Sequence, residues 1–345
     1  MVILFYLNFI EIKWNHLNTI LFHKIFMRKI WLITVDMGYG HQRAAYSLAD
    51  LAYERVITAN SDKIVSTQEK KQWNKFEVFY NTISKLKSIP LIGEKLWNIY
   101  DRLQAITPIY PFRDLSKPNF GALYIEKLIK KGFLKSIIEY TECKNLPLVS
   151  TFFATTVAAG YYNQNKVYCI VTDTDINRVW VPTNPKKSKI IYLAPTDNSV
   201  KRLAAYGVSK KNIFFTGFPL PKENFGKDHR IVKHDLGNRL INLDPNKIHI
   251  NRYLPVIKKL LGNHFKLKSK RVLTLTYAVG GAGAQKEIGK EIIISLKKKI
   301  KQHKIKLILI SGTCIEVYQY FLKIVEDNNL HKEIGKYIIL QNTLD

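Results

Sequence analysis

Short apolar runs alternate with amphipathic stretches along most of this chain. After Lys29, residues 30–35 (IWLITV) form a run of apolar and β-branched residues. A turn at 36–41 follows, and then Ala44, Ala45, Leu48, Leu51 and Ala52 recur at helical spacing. This pattern predicts a strand over Lys29–Val35 and a helix over Gln42–Val56. Residues 58–72 are polar and read as loop, and residues 73–140 read as short helices and loops. Alternation then resumes with the strand PLVST, the helix FFATTVAAGYY and the strands KVYCIVTD and KIIYLA. After these come the helix DNSVKRLAAYG, stopped by Gly207, and the strand NIFFTG. Strands separated by helices imply a parallel sheet and an α/β fold.

The Pro- and Gly-rich stretch 217–226 (GFPLPKENFG) reads as a link between two domains. Beyond it, 227–270 is polar and basic, with helical stretches such as NRYLPVIKKLLG. The second domain proper begins at Arg271: strand VLTLTY, a glycine-rich turn, a helix, strand IKLILIS, a helix near 315–328 and strand YIIL. The domains are thus 27–220 and 221–345. Three strands are few for a doubly wound sheet, so the second domain reads as incomplete. Residues 1–26 read as an upstream extension ahead of Met27, or else as an interfacial helix; they lack the charged start and small-residue cleavage site of a secretory signal.

Charge and composition narrow the functions. The chain has 54 Lys and Arg against 27 Asp and Glu, a formal charge of +27. Basic residues are spread along it, with no helix-turn-helix, RNA-binding signature or zinc spacing, so nucleic acid is not an expected partner. An anionic membrane surface is one reading; the abundance of Lys, Ile, Asn and Tyr makes the Lys-favouring codons of an AT-rich genome another, partial cause of the excess. Residues 73–120 interleave Trp, Phe, Tyr and Ile with Lys and Arg, as a segment lying in an interface would. No stretch approaches the roughly 20 uncharged apolar residues of a membrane-spanning helix. Three widely spaced cysteines make no disulfide framework, which fits a reducing cytoplasmic setting.

Two strand–turn–helix units carry the candidate chemistry. In the later one the turn holds Gly280, Gly281, Gly283, Ala284 and Gln285. Small residues let an anion approach the main chain, and the helix behind offers free N–H groups and the positive end of its dipole. The turn is neither a dinucleotide fingerprint nor a P-loop. In the earlier unit Gly38, Tyr39, Gly40 and His41 follow the first strand, at its carboxyl end, where open α/β sheets bind ligands. His41 is placed at a helix N-terminus, where the dipole opposes its charged form. Asp173 ends a buried strand and is a second candidate base or sugar-hydroxyl acceptor. Arg178 and Trp180 offer a cation and a flat ring to a phosphate or sugar. No metal-ligand spacing and no nucleophile elbow occurs.

Taken together, the N-terminal G-x-G-H-x-x-A-A, the central Thr-Asp, the block APTDNSVKRLAAYGVSKKNIFFTGFPLP and the distal G-G-A-G-A-Q resemble the GT-B glycosyltransferases of the monogalactosyldiacylglycerol-synthase type. These are related to the peptidoglycan-precursor N-acetylglucosaminyltransferase. The resemblance runs over about residues 28–345, and the middle block is its most specific part. It implies two Rossmann-like domains facing a cleft, with a UDP-sugar on the later one and an acceptor, often a lipid, on the earlier one. Gly280, Gly281, Gly283 and Ala284 match the donor-diphosphate turn; Gly38, Gly40 and His41 match the acceptor-side loop. The chain departs from the pattern twice. The donor-ribose Glu would fall past Asp345, and Asn177 and Arg178 stand where a His often follows the Thr-Asp. The expected activity is an inverting, metal-independent hexosyl transfer from UDP-sugar to a membrane lipid or other hydroxyl acceptor, with no cofactor. The expected location is the inner face of the cell membrane, peripherally. The alternatives are an impaired nucleotide-sugar-binding or peripheral membrane protein, and a UDP-sugar epimerase relative.

Overall fold

All five side chains of the first strand, β1 (Ile30–Thr34), are buried. Such a strand belongs inside a parallel sheet covered on both faces. The computed structural model describes residues 29–37, 39–75, 105–111, 113–162, 164, 166–266, 272–279, 283, 285–312 and 314–342. The chain divides into two compact units, Met1–Pro221 and Lys222–Asp345.

In the first unit β1 leads to α1 (Tyr39–Tyr46) and β2 (Ala52–Thr58); residues 67–75 are helical; then come α2 (Phe120–Lys130), α3 (Lys135–Thr141), β3 (Leu148–Ser150), α4 (Phe153–Tyr161), β4 (Val167–Ile170), β5 (Ile191–Ala194), α5 (Asp197–Ala205) and β6 (Ile213–Phe215). The six strands lie in the order β2-β1-β3-β4-β5-β6 and every pairing is parallel. Side chains alternate between faces. Trp31, Ile33 and Val35 join a large core with Trp73, Phe133, Ile137, Phe152 and Val157, whereas Ile30 and Leu32 pack with Ala45, Val149 and Ile170. Hence α1, through Ala45, covers one face and α4, through Val157, covers the other. Local signals set the ends of α5. Thr196 and Ser199 form a reciprocal capping box at its start, and Gly207 at φ +91° ends the segment.

Two expectations are corrected here. The helix predicted over 42–56 stops at Tyr46, and Ala52–Thr58 is the edge strand β2. Its Tyr53, Val56, Ile57 and Thr58 favour extended backbone, and parallel pairing with β1 outweighs the Ala and Leu spacing. The predicted loop 58–72 contains the start of the helical stretch 67–75, which buries Glu69 and Trp73. Glu69 accepts from the Ser136 hydroxyl and from its backbone N–H, so a polar sequence still docks by one face. Of the aromatic-basic segment 73–120, residues 76–104 and 112 lie outside the described residues.

In the second unit, after a short helical turn at Lys222–Phe225, come α6 (Arg230–Leu243) and α7 (Ile248–Leu261); Ile250, Ile257 and Leu261 of α7 form a small core against which Leu236, Leu240 and Ile241 of α6 pack. Next come β7 (Leu273–Ala278), α8 (Lys286–Lys301), β8 (Ile305–Ile310), α9 (Ile315–Asp327) and β9 (Ile338–Gln341), with a parallel sheet ordered β7-β8-β9. Helices α8 and α9 approach closely because Gly289 has no side chain. A Cβ there would lie 2.4 Å from Cε1 of Phe321, a ring that is itself buried. In Gly289→Ala the gain in helix propensity is about 1 kcal/mol, but overpacking costs about 1–3 kcal/mol. The variant is therefore expected to unfold at lower urea concentration than the parent chain. A midpoint equal to or above the parent's would show that the ring yields freely.

Candidate functional site

Strand order in the first unit reverses between β1 and β3, and the helices that follow these two strands lie on opposite faces. A crevice therefore opens at their carboxyl ends, the place where ligands bind in open α/β sheets. His41 bridges this point. Its Nδ1 lies 2.7 Å from the carbonyl oxygen of Thr151, the residue just past β3, and 3.2 Å from Oγ1 of Thr172, just past β4. A carbonyl only accepts, so Nδ1 carries the hydrogen and donates it to Thr151, with Thr172 as a weaker second acceptor. In the neutral ring the lone pair is then on Nε2, which has no hydrogen-bond partner among the described residues.

The ring is held from several sides. Phe152 meets it edge-on at 5.3 Å between centroids, and Trp180 lies 6.5 Å away. The Thr151 hydroxyl donates to that of Thr34 at the end of β1. Asp36, also past β1, is tied to Asn60 through both backbone groups and accepts from Gln42. These bonds fix the turn that carries the imidazole.

Burial is the main influence on His41 and lowers its pKa from 6.5; the Thr151 carbonyl and the charge of Asp173 oppose it. The sequence-based argument for a neutral ring invoked the helix dipole. His41 does lie in the first turn of α1, but desolvation is the larger cause. Asp173 is surface-exposed, yet the surrounding protein removes enough hydration to raise its pKa, with His41 pulling it back. The two groups are thus electrostatically coupled. The Cys169 thiol, buried in β4, is pushed up to about 12 by desolvation and supplies no thiolate.

The remaining predicted residues are placed as follows. Tyr39 is exposed, and a Cβ on Gly40 would meet nothing within 4 Å, so the space above this turn is open. Gly38 lies outside the described residues. Trp180 is buried, its ring against Phe153 and His41. Arg178 is buried as well, and its guanidinium donates to backbone carbonyls. In the second unit Gly280, Gly281 and Ala284 lie outside the described residues. Gly283 at φ +69° and Gln285 at φ +66° both take the left-handed conformation, and Gln285 precedes α8 without a side-chain cap. Thr151 was missed by sequence reading, and Thr172 entered only as half of the central Thr-Asp; the signal of each was position, just past a buried parallel strand. Among the described residues no three His, Cys, Asp or Glu side chains gather to hold a metal ion. None of the described helices is long and apolar enough to cross a membrane.

Residues 263–339, within the second unit, match the family model described as a domain of unknown function, DUF6938. No curated protein matches the chain by sequence. Among solved structures the chain is similar to UDP-GlcNAc 2-epimerase from Neisseria meningitidis, a structure bound to UDP-GlcNAc. The identity is 15% and the TM-score 0.32, over 74% of this chain and 63% of that one. At that level the likeness assigns no ligand and no chemistry to this chain.

Because the unfolded chain protonates His41 near 6.5 and the native chain only at lower pH, the stability tied to a neutral ring is fully present above 6.5. It declines as pH falls from there toward the native value. Histidine-edited NMR should find one of the nine imidazoles titrating below 6.5. His41→Gln should remove that signal, and Asp173→Asn should move its midpoint lower still. A midpoint at or above 6.5, or an upward move in Asp173→Asn, would contradict the electrostatic coupling.

Proposed function

We propose that the chain is a GT-B glycosyltransferase that moves a hexosyl group from a UDP-sugar to a hydroxyl acceptor. The observation that carries this reading is His41. It is neutral at physiological pH, has its tautomer set by the Thr151 carbonyl, and is coupled to Asp173 at the carboxyl edge of the first sheet. As the acceptor oxygen bonds to the anomeric carbon, the bond from that carbon to the diphosphate oxygen breaks. UDP leaves with the electron pair, and the acceptor proton passes to Nε2 of His41. Asp173 stabilises the imidazolium that forms. Single displacement inverts the anomeric centre, and no step calls on a metal ion.

The donor is assigned to the second unit. Strand β7, the left-handed Gly283 and Gln285 and the uncapped start of α8 supply the parts of a diphosphate cradle. The turn residues Gly280, Gly281 and Ala284 enter as sequence matches only. A membrane lipid acceptor, and a peripheral position on the inner face of the cell membrane, are supported by the basic excess and by α2. That helix exposes Phe120, Leu123 and Tyr124 and carries Lys127 and Lys130.

Transfer is checked by coupled UDP release with a lipid hydroxyl acceptor, beside isothermal titration with UDP. His41→Gln should lower kcat by about 10²- to 10⁴-fold and leave UDP affinity intact. Gly281→Asp should lose UDP affinity. Unchanged turnover in His41→Gln would remove the base. Conversion of a UDP-sugar into its epimer without acceptor would replace transfer by epimerisation.

A further inference from the structure

Arg178 carries a buried positive charge with no carboxylate to meet it among the described residues. The residue is only 5% exposed. Nε donates to Ser116 O at 3.1 Å and Nη1 to Val181 O at 2.6 Å. Nη2 reaches Ser116 O at 2.8 Å, Pro182 O at 3.1 Å and Thr183 O at 3.4 Å. All these acceptors are neutral carbonyls. A guanidinium has five N–H groups, and these contacts leave one Nη1–H over. The nearby Arg202 meets a different fate, since it pairs with Asp175 at 2.8 Å. Burial disfavours the charged form of Arg178, although an arginine stays protonated in proteins. A lone charge held out of water at this cost invites an anion.

A cavity of about 500 Å³ lies against it. Arg113 and Lys117 line the same space, opposed by the single acidic residue Asp114, whose carboxylate accepts from the backbone and hydroxyl of Ser116. The lining is thus two charges positive. Phe120 and Tyr206 add aromatic surface, and the first residue of α2 stands at the wall, where free backbone N–H groups and the helix dipole favour negative charge. A phosphate monoester carries about −1.5 to −2 at neutral pH and suits arginine's forked donors. The volume exceeds what phosphate alone fills and sits within the roughly 300–1,000 Å³ of small-molecule sites.

We propose that this cavity in the first unit binds a small organic phosphate monoester, either free or as the headgroup of an anionic lipid. The site requires neither a sugar donor nor transfer, so it stands or falls apart from the glycosyltransferase reading. Arg113 and Lys117 are exposed, and their removal leaves the core untouched. The test uses the full chain. It is titrated with inorganic phosphate and with glycerol 3-phosphate. It is also sedimented with phosphatidylcholine vesicles with and without phosphatidic acid. The parent chain should bind at least one phosphate monoester, and the Arg113→Gln/Lys117→Gln double variant should bind it about tenfold more weakly. Lys258→Gln/Lys259→Gln, which removes the same charge from the second unit, should bind as the parent does. Glycerol 3-phosphate alone captured identifies the free source; phosphatidic acid vesicles alone captured identify the headgroup. No binding of either, equal affinity in the double variant, or an equal loss in the second-unit control overturns the proposal.

Discussion

The first sheet is buried on both faces, and that constraint places the chemistry. A parallel ladder leaves no room for hairpins, so each strand must be followed by a crossover that covers one face or the other. The core divides accordingly. Trp31 and Ile33 point into one cluster, Ile30 and Leu32 into the other. With α1 on one side and α4 on the other, the segments leaving β1 and β3 diverge; the Thr151 N–H still donates to Ile33 O, while the Thr151 carbonyl lies past the end of β3. His41 spans that divergence by donating to the Thr151 carbonyl. A side chain at this point settles a buried acceptor and leaves its other nitrogen without a hydrogen-bond partner among the described residues.

What could be read from the chain alone follows from the same burial. Strands covered on both faces appear as apolar runs, as in IWLIT and IYLA, and the parallel α/β class was readable from them. β2 was not, because an edge strand with exposed Glu54 and half-buried Arg55 carries no such run, and its alanine and leucine neighbours mimic a helix face. The helical stretch 67–75 was hidden by its polarity, since it docks through Glu69 and Trp73 with Gln72 half-buried beside them. His41 and Asp173 were readable as polar residues at strand ends. The surroundings of Arg178 were not: its Ser116 acceptor lies 62 positions away in sequence, and only tertiary structure reveals that carbonyls rather than a ligand occupy most of its donors.

Arg178 and Arg202 show how one fold handles two buried cations differently. Both lie near the Tyr206 ring, at 5.8 and 5.9 Å from its centroid. Both also anchor the segment leading into α2, Arg178 through Ser116 O and Arg202 through Thr107 O. For Arg202 the cost of leaving water is offset by the Asp175 carboxylate, which is itself held below its ordinary pKa once that pairing and its hydrogen bonds outweigh burial. Arg178 has dipoles only. Carbonyls satisfy donor geometry but do not cancel net charge, so the electrostatic field of Arg178 reaches the cavity beside it.

Burial governs His41 and Asp173 in the same way, with consequences for proton transfer. Desolvation pushes the imidazole down and the carboxyl up, while their mutual attraction opposes both shifts. In the proposed transfer the free side chain is therefore a neutral base. A lowered pKa alone would make it a weak one. Attraction between opposite charges grows as the local dielectric falls, so a ligand that displaces water from the crevice strengthens the hold of Asp173 on the imidazolium as it forms. In the transfer we propose, the protein surroundings that keep His41 unprotonated beforehand thereby increase the carboxylate's effect as the proton arrives.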